Sequence, residues 1–191
     1  MRRLFVLLPL FACLASNAQE TAETEKPYTI GDAGISFSKV IPVEGKTASE
    51  LFSLSDNFFT YNYNDANFVI QTQDKDAGTI IGKGIFELPT YSEGFGWIYT
   101  NAIHILRIDC REGRIRVILT VQGYHHSGAK EGDISILETY PLTGEVPKPK
   151  NKQKREQKHF EIVSENSLKT IQKIEDYFLK SGNTGLENDN W

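Results

Sequence analysis

A change of hydrophobic period in the middle of the chain decides the class of fold. Between residues 47 and 61 the apolar residues recur at helical spacing, whereas from residue 68 to residue 124 they alternate with polar residues. Alternation with a period of two is typical of strands that bury one face. The pattern therefore predicts one helix followed by several strands, without the alternating βα units of a parallel sheet.

The first helix is predicted to begin at a capping box, Thr47-Ala48-Ser49-Glu50. In this motif the threonine hydroxyl accepts from the third helical amide, and the glutamate carboxylate accepts from the cap amide. Apolar residues follow at helical spacing and predict an inward stripe. This stripe consists of Leu51, Leu54, Phe58 and Tyr61.

Five segments are predicted as strands, and a second helix closes the domain. The strands are residues 35–43, 68–74, 79–88, 98–110 and 114–124. Turns are predicted at Asp76-Ala77-Gly78 and at Glu112-Gly113. The second helix is predicted over residues 164–180, with a left-handed stop at Gly182. Its inward residues are Leu168, Ile171, Ile174 and Phe178.

The Glu112-Gly113 turn fixes the pairing of the two strands that flank it. A two-residue turn places Arg111 opposite Arg114, Cys110 opposite Ile115 and Asp109 opposite Arg116, as an ion pair. One face of this hairpin then carries only apolar side chains. We therefore interpret Cys110 as a small buried residue rather than a reactive thiol. The apolar set is Leu106, Ile108, Cys110, Ile115, Val117 and Leu119.

The order β-α-β-β-β-β-α predicts a single α+β domain over residues 35–182. We expect an antiparallel sheet of about five strands with both helices on one face. A flexible lead-in is expected over residues 19–34, and residues 183–191 form a C-terminal tail. Residues from about 127 to 160 are rich in lysine and proline, and are interpreted as an irregular loop.

The first eighteen residues predict export from the cytoplasm. Arg2 and Arg3 precede an apolar stretch, and the small residues of Ser16-Asn17-Ala18 suit a signal peptidase. The stretch is too short to span a bilayer, so cleavage near Ala18 would yield a periplasmic or secreted chain with no transmembrane span. The alternative is a lipoprotein anchored through Cys13, because Leu10-Phe11-Ala12-Cys13 approximates a lipobox.

The net charge and the motifs of the chain disfavour nucleic-acid binding, metal binding and catalysis. The formal net charge is −4 and becomes more negative once Arg2 and Arg3 are removed, which disfavours nucleic acid as a partner. None of the four histidines (His104, His125, His126 and His159) has a metal-binding spacing. No nucleophile motif stands out. The sequence therefore predicts no catalytic residue, no metal and no cofactor.

Three stretches together resemble a known family: residues 37–41, residues 76–84 and residues 109–117. The chain resembles a secreted bacterial family of unknown function, common in Bacteroides-type bacteria, that has a TATA-binding-protein-like fold. The resemblance covers residues 35–125, and the terminal helix by order only. The resemblance implies a TATA-binding-protein-like fold and a location outside the cytoplasm. The family has no established activity, so the resemblance implies no catalytic residue.

The glycine-rich stretch and the aromatic stretch can each be interpreted as structural or as functional. The Gly78–Gly84 run lacks the spacing and hydroxyl of a phosphate-binding loop, so Gly82 and Gly84 are interpreted as sites where a helix backbone approaches the sheet. The aromatic residues of the next hairpin either pack its tip or offer a surface for sugars. They are Tyr91, Phe95, Trp97 and Tyr99.

Strand alternation predicts a basic sheet face opposite the core. Isoleucines accompany its charges, so it is either a solvated face shielded by arginine stems or a binding surface for an anionic or peptide-like partner. The predicted ligand-binding residues are Lys83, Arg107, Arg114 and Arg116. We expect a non-enzymatic binding module for an envelope protein, peptide or glycan. The alternatives are an envelope hydrolase with a site assembled from distant residues and a structural accessory of an envelope complex.

Overall fold

The computed structural model describes residues 26–62, 69–93, 96–128, 140–141 and 150–183. The helices are α1 (Ala48–Asn62) and α2 (Lys150–Asn183). The strands are β1 (Thr29–Gly31), β2 (Gly34–Pro42), β3 (Ile70–Asp74), β4 (Thr79–Glu93), β5 (Gly96–Arg111), β6 (Arg114–Gly128) and β7 (Tyr140–Pro141). The predicted signal peptide, the lipobox at Cys13 and residues 184–191 lie outside the described residues.

The strands form one antiparallel sheet in the order β1-β2-β6-β5-β4-β3, and β7 pairs with β6 beside this path. The predicted antiparallel α+β architecture is confirmed, but the strand count is higher than the expected five. Two short strands account for the difference. Strand β1 lies inside the predicted flexible lead-in, and β7 lies inside the segment predicted as an irregular loop.

The β5–β6 hairpin has the register that the sequence predicts. Arg111 lies opposite Arg114, Cys110 opposite Ile115 and Asp109 opposite Arg116. Gly113 has a φ of +67°, which a glycine adopts without steric cost. Its amide also donates to the carbonyl of Lys46 at 2.9 Å, which ties the turn to the segment before α1.

Both helices cover the same face of the sheet. Phe59 of α1 lies over Gly82 of β4, and Lys39 of β2 is ion-paired with Glu175 of α2 at 2.5 Å. Strand and helix residues share one core, in which Leu106, Ile108, Val117, Ile174 and Phe178 are at most 1% exposed. The opposite face of the sheet meets neither helix.

Helix α1 begins as predicted but buries a different stripe. The Thr47 amide donates to the Glu50 carboxylate at 2.8 Å, and the Glu50 amide donates to the Thr47 hydroxyl at 3.2 Å. The predicted inward position of Tyr61 is wrong, because this side chain is 78% exposed. Phe59 is fully buried instead. The buried stripe of a helix is wide enough to include neighbouring positions, and the ring of Phe59 fills the space above Gly82.

Helix α2 begins well before its predicted start. It runs from Lys150, so the lysine-rich residues from 150 to 160 are helical, and their prediction as a loop is wrong. His159 and Val163 are buried on this added length, which explains why it is ordered against the sheet. The helix also continues through Gly182 to Asn183, so the predicted stop at Gly182 is wrong. Leu168, predicted to point inward, is 43% exposed.

The close approach at Gly82 and Gly84 comes from side chains rather than from a helix backbone. A Cβ atom on Gly82 would lie 2.4 Å from the Phe59 ring, and one on Gly84 would lie 2.6 Å from the His104 imidazole. His104 faces Gly84 directly across β4 and β5 and stacks on Phe86 with ring centroids 4.1 Å apart. The two glycines therefore make room for aromatic rings.

Candidate functional site

The sheet face that meets no helix carries a charged cluster at the end nearest the β5–β6 turn. Asp109 is its centre. Its carboxylate accepts from Arg107 at 2.7 Å, from Arg116 at 2.7 and 3.0 Å, and from the Thr79 hydroxyl at 2.9 Å. Alternation explains the grouping, since Arg107 and Asp109 are two residues apart on β5 and Arg116 lies opposite Asp109 on β6.

Asp109 is held in its ionised form although it is only 8% exposed. Partial burial raises the pKa of its carboxyl group, but the hydrogen bonds from Arg107, Arg116 and Thr79 outweigh burial, so the pKa lies below its ordinary value. A carboxylate that accepts four hydrogen bonds and pairs with two guanidinium groups is a structural anchor. It is poorly placed to exchange a proton with a substrate.

Arg111 and Arg114 differ from Arg107 and Arg116, the two arginines that are ion-paired with Asp109. They face each other directly across the hairpin, and both are exposed. Within the described part of the chain neither forms an ion pair. Like charges directly opposite each other in a sheet are destabilising unless solvent or an anion relieves them. Four arginines and one aspartate leave the cluster with a net positive charge, and most of it lies on this unpaired facing pair.

A depression of about 250 Å³ lies beside this pair. Its wall includes an apolar side chain, Val40 of β2, which is 58% exposed and lies directly opposite Arg116. The lining residues are Val40, Asp109, Arg111, Arg114, Ile115 and Arg116. The depression can take a small anionic group on its basic side and an apolar group against Val40.

The structure brings three of the four sequence-predicted site residues together. Arg107, Arg114 and Arg116 lie in or beside the charged cluster. Lys83 is exposed on the same face, but it pairs with Ile105, which in turn pairs with Thr120. Thr120 is six residues from Arg114 along β6, a separation of about 20 Å in an extended strand. Lys83 therefore does not line the depression.

Sequence reasoning underestimated two members of the cluster. Alternation predicts that Arg111 lies on the open face opposite Arg114, but it is not among the predicted ligand-binding residues, whereas the structure gives it an equal place on the depression. Val40 is predicted only as part of a strand. The register of β2 against β6 reveals its position, and the sequence holds no turn that would fix that long-range pairing.

Cys110, His104 and His159 are buried. Cys110 is 4% exposed, its Sγ lies 3.2 Å from the Ser55 hydroxyl, and burial raises the pKa of the thiol, which confirms its prediction as a buried residue. Burial lowers the pKa of His104 to about 4. His159 lies against the Tyr124 ring, and the side chains of His125 and His126 lie outside the described residues.

The described part of the chain holds neither a metal-binding cluster nor a helix suited to span a membrane. Among those residues no three His, Cys, Asp or Glu side chains cluster in a way that could hold a metal ion. Within them, too, neither helix combines the length and apolar character that a membrane span requires.

Comparison with known proteins supports the fold. Residues 37–124 match the profile of a family described as a domain of unknown function (DUF4468) with TBP-like fold. A crystal structure of a DUF4468 family protein from Bacteroides ovatus matches with a TM-score of 0.57 and 16% identity, over 81% of this chain and 91% of that chain. A TBP-like protein from Parabacteroides distasonis matches with a TM-score of 0.53 and 14% identity, over 78% and 96%. The chain has no match among curated proteins.

Proposed function

We propose that this chain, which carries a DUF4468 domain with a TBP-like fold over residues 37–124, is a non-enzymatic binding module for an acidic segment of a peptide or protein. The observation that carries the proposal is the Arg111–Arg114 pair beside the depression. The fold places these two residues on a sheet face that neither helix covers. The domain's function is otherwise uncharacterised.

The chemistry of the pair favours a carboxylate as the bound group. A guanidinium group presents parallel N–H donors that match the two oxygens of a carboxylate, and two facing guanidinium groups can clamp one such anion from both sides. Bound carboxylate would also relieve the repulsion between the two cations. An apolar side chain next to the acidic residue of the ligand would pack on Val40.

The same geometry favours binding over hydrolysis. The Asp109 carboxylate is fully engaged by cations, and the Cys110 thiol is buried with a raised pKa. A nucleophile or a general base needs an accessible reactive form, and these two groups lack it. The described part of the depression therefore offers recognition chemistry rather than a reacting pair.

The cell envelope is the proposed site of action. The support is the sequence of residues 1–18, which has the basic start, apolar stretch and small-residue end of a signal peptide. Fractionation of the native host, followed by the intact mass of the purified chain, tests this location. A mature N-terminus near Gln19 supports cleavage, a lipid-modified Cys13 supports the lipoprotein alternative, and an unprocessed cytoplasmic chain would overturn export.

Binding of acidic peptides to charge variants tests the proposed partner. Fluorescein-labelled peptides with Asp or Glu beside an apolar residue are titrated at low salt and read by anisotropy. We expect Arg111→Gln with Arg114→Gln to weaken binding at least tenfold. A matched variant, Lys83→Gln with Lys173→Gln, removes the same charge from exposed positions outside the depression and is expected to keep most of the affinity. Equal losses in both variants, or no binding by the wild type, would refute the proposal.

A further inference from the structure

The end of the open sheet face farthest from the arginines carries two exposed aromatic side chains. Trp97 is 58% exposed and Tyr99 is 50% exposed. They are two residues apart on β5, so they project from the same face at a spacing of about 7 Å. Thr100 and His104, at positions of the other parity, are at most 2% exposed on the helix side. Both rings therefore belong to the face that the helices leave open.

The local strand geometry sets Tyr99 at an irregular point of the sheet. Leu88 pairs with Thr100 and Tyr91 pairs with Ile98, so Pro89 and Thr90 together oppose Tyr99. Such a β-bulge changes the direction in which neighbouring side chains project and is common beside functional sites. Across the sheet from this point the Arg155 guanidinium lies 3.7 Å from the Tyr91 ring centroid, so α2 packs on the other side.

The described neighbours of the aromatic pair, on β4 and in the next row of β5, are polar. Trp97 lies opposite the exposed Ser92, and the next row of the same face consists of Glu87 opposite Asn101. This polar row separates the aromatic pair from the exposed Ile85 beyond it. A protein interface has an apolar centre, whereas the described part of this surface has two flat rings with hydrogen-bonding groups beside them.

We infer that Trp97 and Tyr99 form a platform that binds a neutral oligosaccharide. A pyranose ring has an apolar face of C–H groups and a rim of hydroxyl groups. The C–H face suits an aromatic ring, and the hydroxyl rim suits a carboxylate, an amide and a hydroxyl such as those of Glu87, Asn101 and Ser92. The charged neighbour described beside the rings is Glu87, a carboxylate, which favours an uncharged sugar over an acidic one.

This platform is separate from the arginine depression and does not depend on the proposed function. Tyr99 and Arg107 are eight residues apart on β5, a distance of about 26 Å along an extended strand. The platform fits a sugar, whereas the depression fits a carboxylate. Loss of one activity therefore leaves the other measurable.

Tryptophan fluorescence gives a direct readout of the platform. The chain has two tryptophans, and Trp191→Phe leaves Trp97 as the reporter. The full-length mature protein with this substitution is first applied to an array of neutral and acidic oligosaccharides. Neutral hexasaccharides that bind, with cellohexaose and chitohexaose as fixed probes, are then titrated in solution. We expect a saturable change of Trp97 emission with at least one neutral hexasaccharide.

Substitutions then assign the binding to the two rings. Because isothermal titration calorimetry does not need the reporter, Trp97→Ala and Tyr99→Ala can be compared directly, and each is expected to weaken binding at least tenfold. Tyr99→Phe keeps the ring and should stay within about threefold of the parent. Ile85→Ala, a matched loss of exposed apolar surface beyond the polar row, should leave the affinity unchanged, as should Arg111→Gln with Arg114→Gln. Melting temperatures establish that each variant is folded.

Four results would overturn the inference. The first is an array on which no neutral oligosaccharide binds at millimolar concentration, and the second is a preference for acidic sugars. The third is binding that survives Trp97→Ala. The fourth is a concentration-dependent dimer, seen by light scattering, that Trp97→Ala abolishes, because the rings would then be covered by a second copy of the chain.

Discussion

Asp109 combines a nearly buried position with bonds to two arginines that are themselves half exposed. Such a carboxylate organises the charged face, because without it Arg107 and Arg116 would repel each other and lose their acceptor. The Thr79 hydroxyl would lose its partner as well. The free energy of unfolding therefore depends more on the buried Asp109 carboxylate than on either of the exposed guanidinium groups.

We predict that Asp109→Asn lowers the free energy of unfolding by about 1 to 2 kcal/mol, since the amide keeps the shape but loses the charge that both guanidinium groups require. Urea unfolding followed by circular dichroism measures this loss. Asp76→Asn is the matched control, because Asp76 is an exposed turn residue. Equal stability of Asp109→Asn and the wild type would mean that the cluster contributes nothing to folding.

His104 makes the domain sensitive to mild acid. Neither ring nitrogen has a hydrogen-bond partner among the described residues, and burial lowers the pKa to about 4, below the value near 6.5 of an unfolded chain. Protonation therefore favours the unfolded state. The stabilisation is complete above pH 6.5 and is lost as the pH falls from 6.5 towards 4.

We predict that the wild type loses about 2 kcal/mol more unfolding free energy than His104→Phe between pH 7.5 and pH 5. Phenylalanine keeps a ring above Gly84 and against Phe86 but cannot take up a proton. Urea unfolding at both pH values gives the comparison. Identical pH dependence in the two proteins would show that His104 does not titrate on unfolding.

At the scale of the element, helix α1 is fixed at its start by side chains and along its length by one contact with the sheet. The capping box satisfies the amides of Thr47 and Glu50, and the hydrogen bonds from Thr47 lower the pKa of Glu50. Farther along, Phe59 fills the space that Gly82 leaves. The capping box is local and can be predicted from the sequence, whereas the contact between Phe59 and Gly82 depends on how the sheet is placed.

For the start of the helix we predict that Thr47→Ala costs about 1 kcal/mol of stability, because an N-terminal amide loses its acceptor. Thermal unfolding by calorimetry measures the change. Ser49 is two residues farther along the chain and is also exposed, so Ser49→Ala should be nearly neutral. Equal melting temperatures for Thr47→Ala, Ser49→Ala and the wild type would show that the cap does not stabilise the helix.

For the contact with the sheet we predict that Gly82→Ala destabilises the domain by about 2 kcal/mol or more, because its new Cβ would lie 2.4 Å from the Phe59 ring. Gly31→Ala is the matched control, since nothing lies within 4 Å of the Cβ it adds. Phe59→Leu should partly rescue Gly82→Ala in a double-mutant cycle of denaturant unfolding. Additive effects would mean that the two residues do not meet.

For the whole molecule, sequence reasoning succeeded where pairing is local. The β5–β6 register follows from one two-residue turn, and the turn itself is marked by Gly113. The position of the two helices on one face follows from the alternation of the strands and the stripes of the helices. These features need only the periodicity of each element and short loops.

Features that depend on distant parts of the chain could not be predicted. The exposure of Tyr61 and the burial of Phe59 are decided by Gly82, more than twenty residues away. The early start of α2 in a lysine-rich stretch is decided by its packing on the sheet, which outweighs a polar composition. Lys83 is a similar case. Alternation predicts its face, but its distance from Arg114 depends on the registers of three strands, and these place it outside the depression.

The long helix α2 closes the core of the whole molecule. Its residues Val163, Ile174 and Phe178 are fully buried, and its Glu175 is paired with Lys39 of β2. Without this helix the sheet would expose Phe37 and other residues that are now excluded from water. The burial of several large apolar side chains is worth about 1.5 to 3 kcal/mol each, comparable in sum to the net stability of a domain.

We therefore predict that a chain truncated after residue 149 loses cooperative unfolding and binds the dye ANS, because the part of the sheet that α2 covers is left bare. A chain truncated after residue 183 keeps all of α2 and is the matched control, which should unfold with the same midpoint as the full chain. Calorimetry and dye fluorescence distinguish the two. A cooperative transition in the shorter chain would mean that α1 and the sheet form a stable core by themselves, with α2 only attached to it.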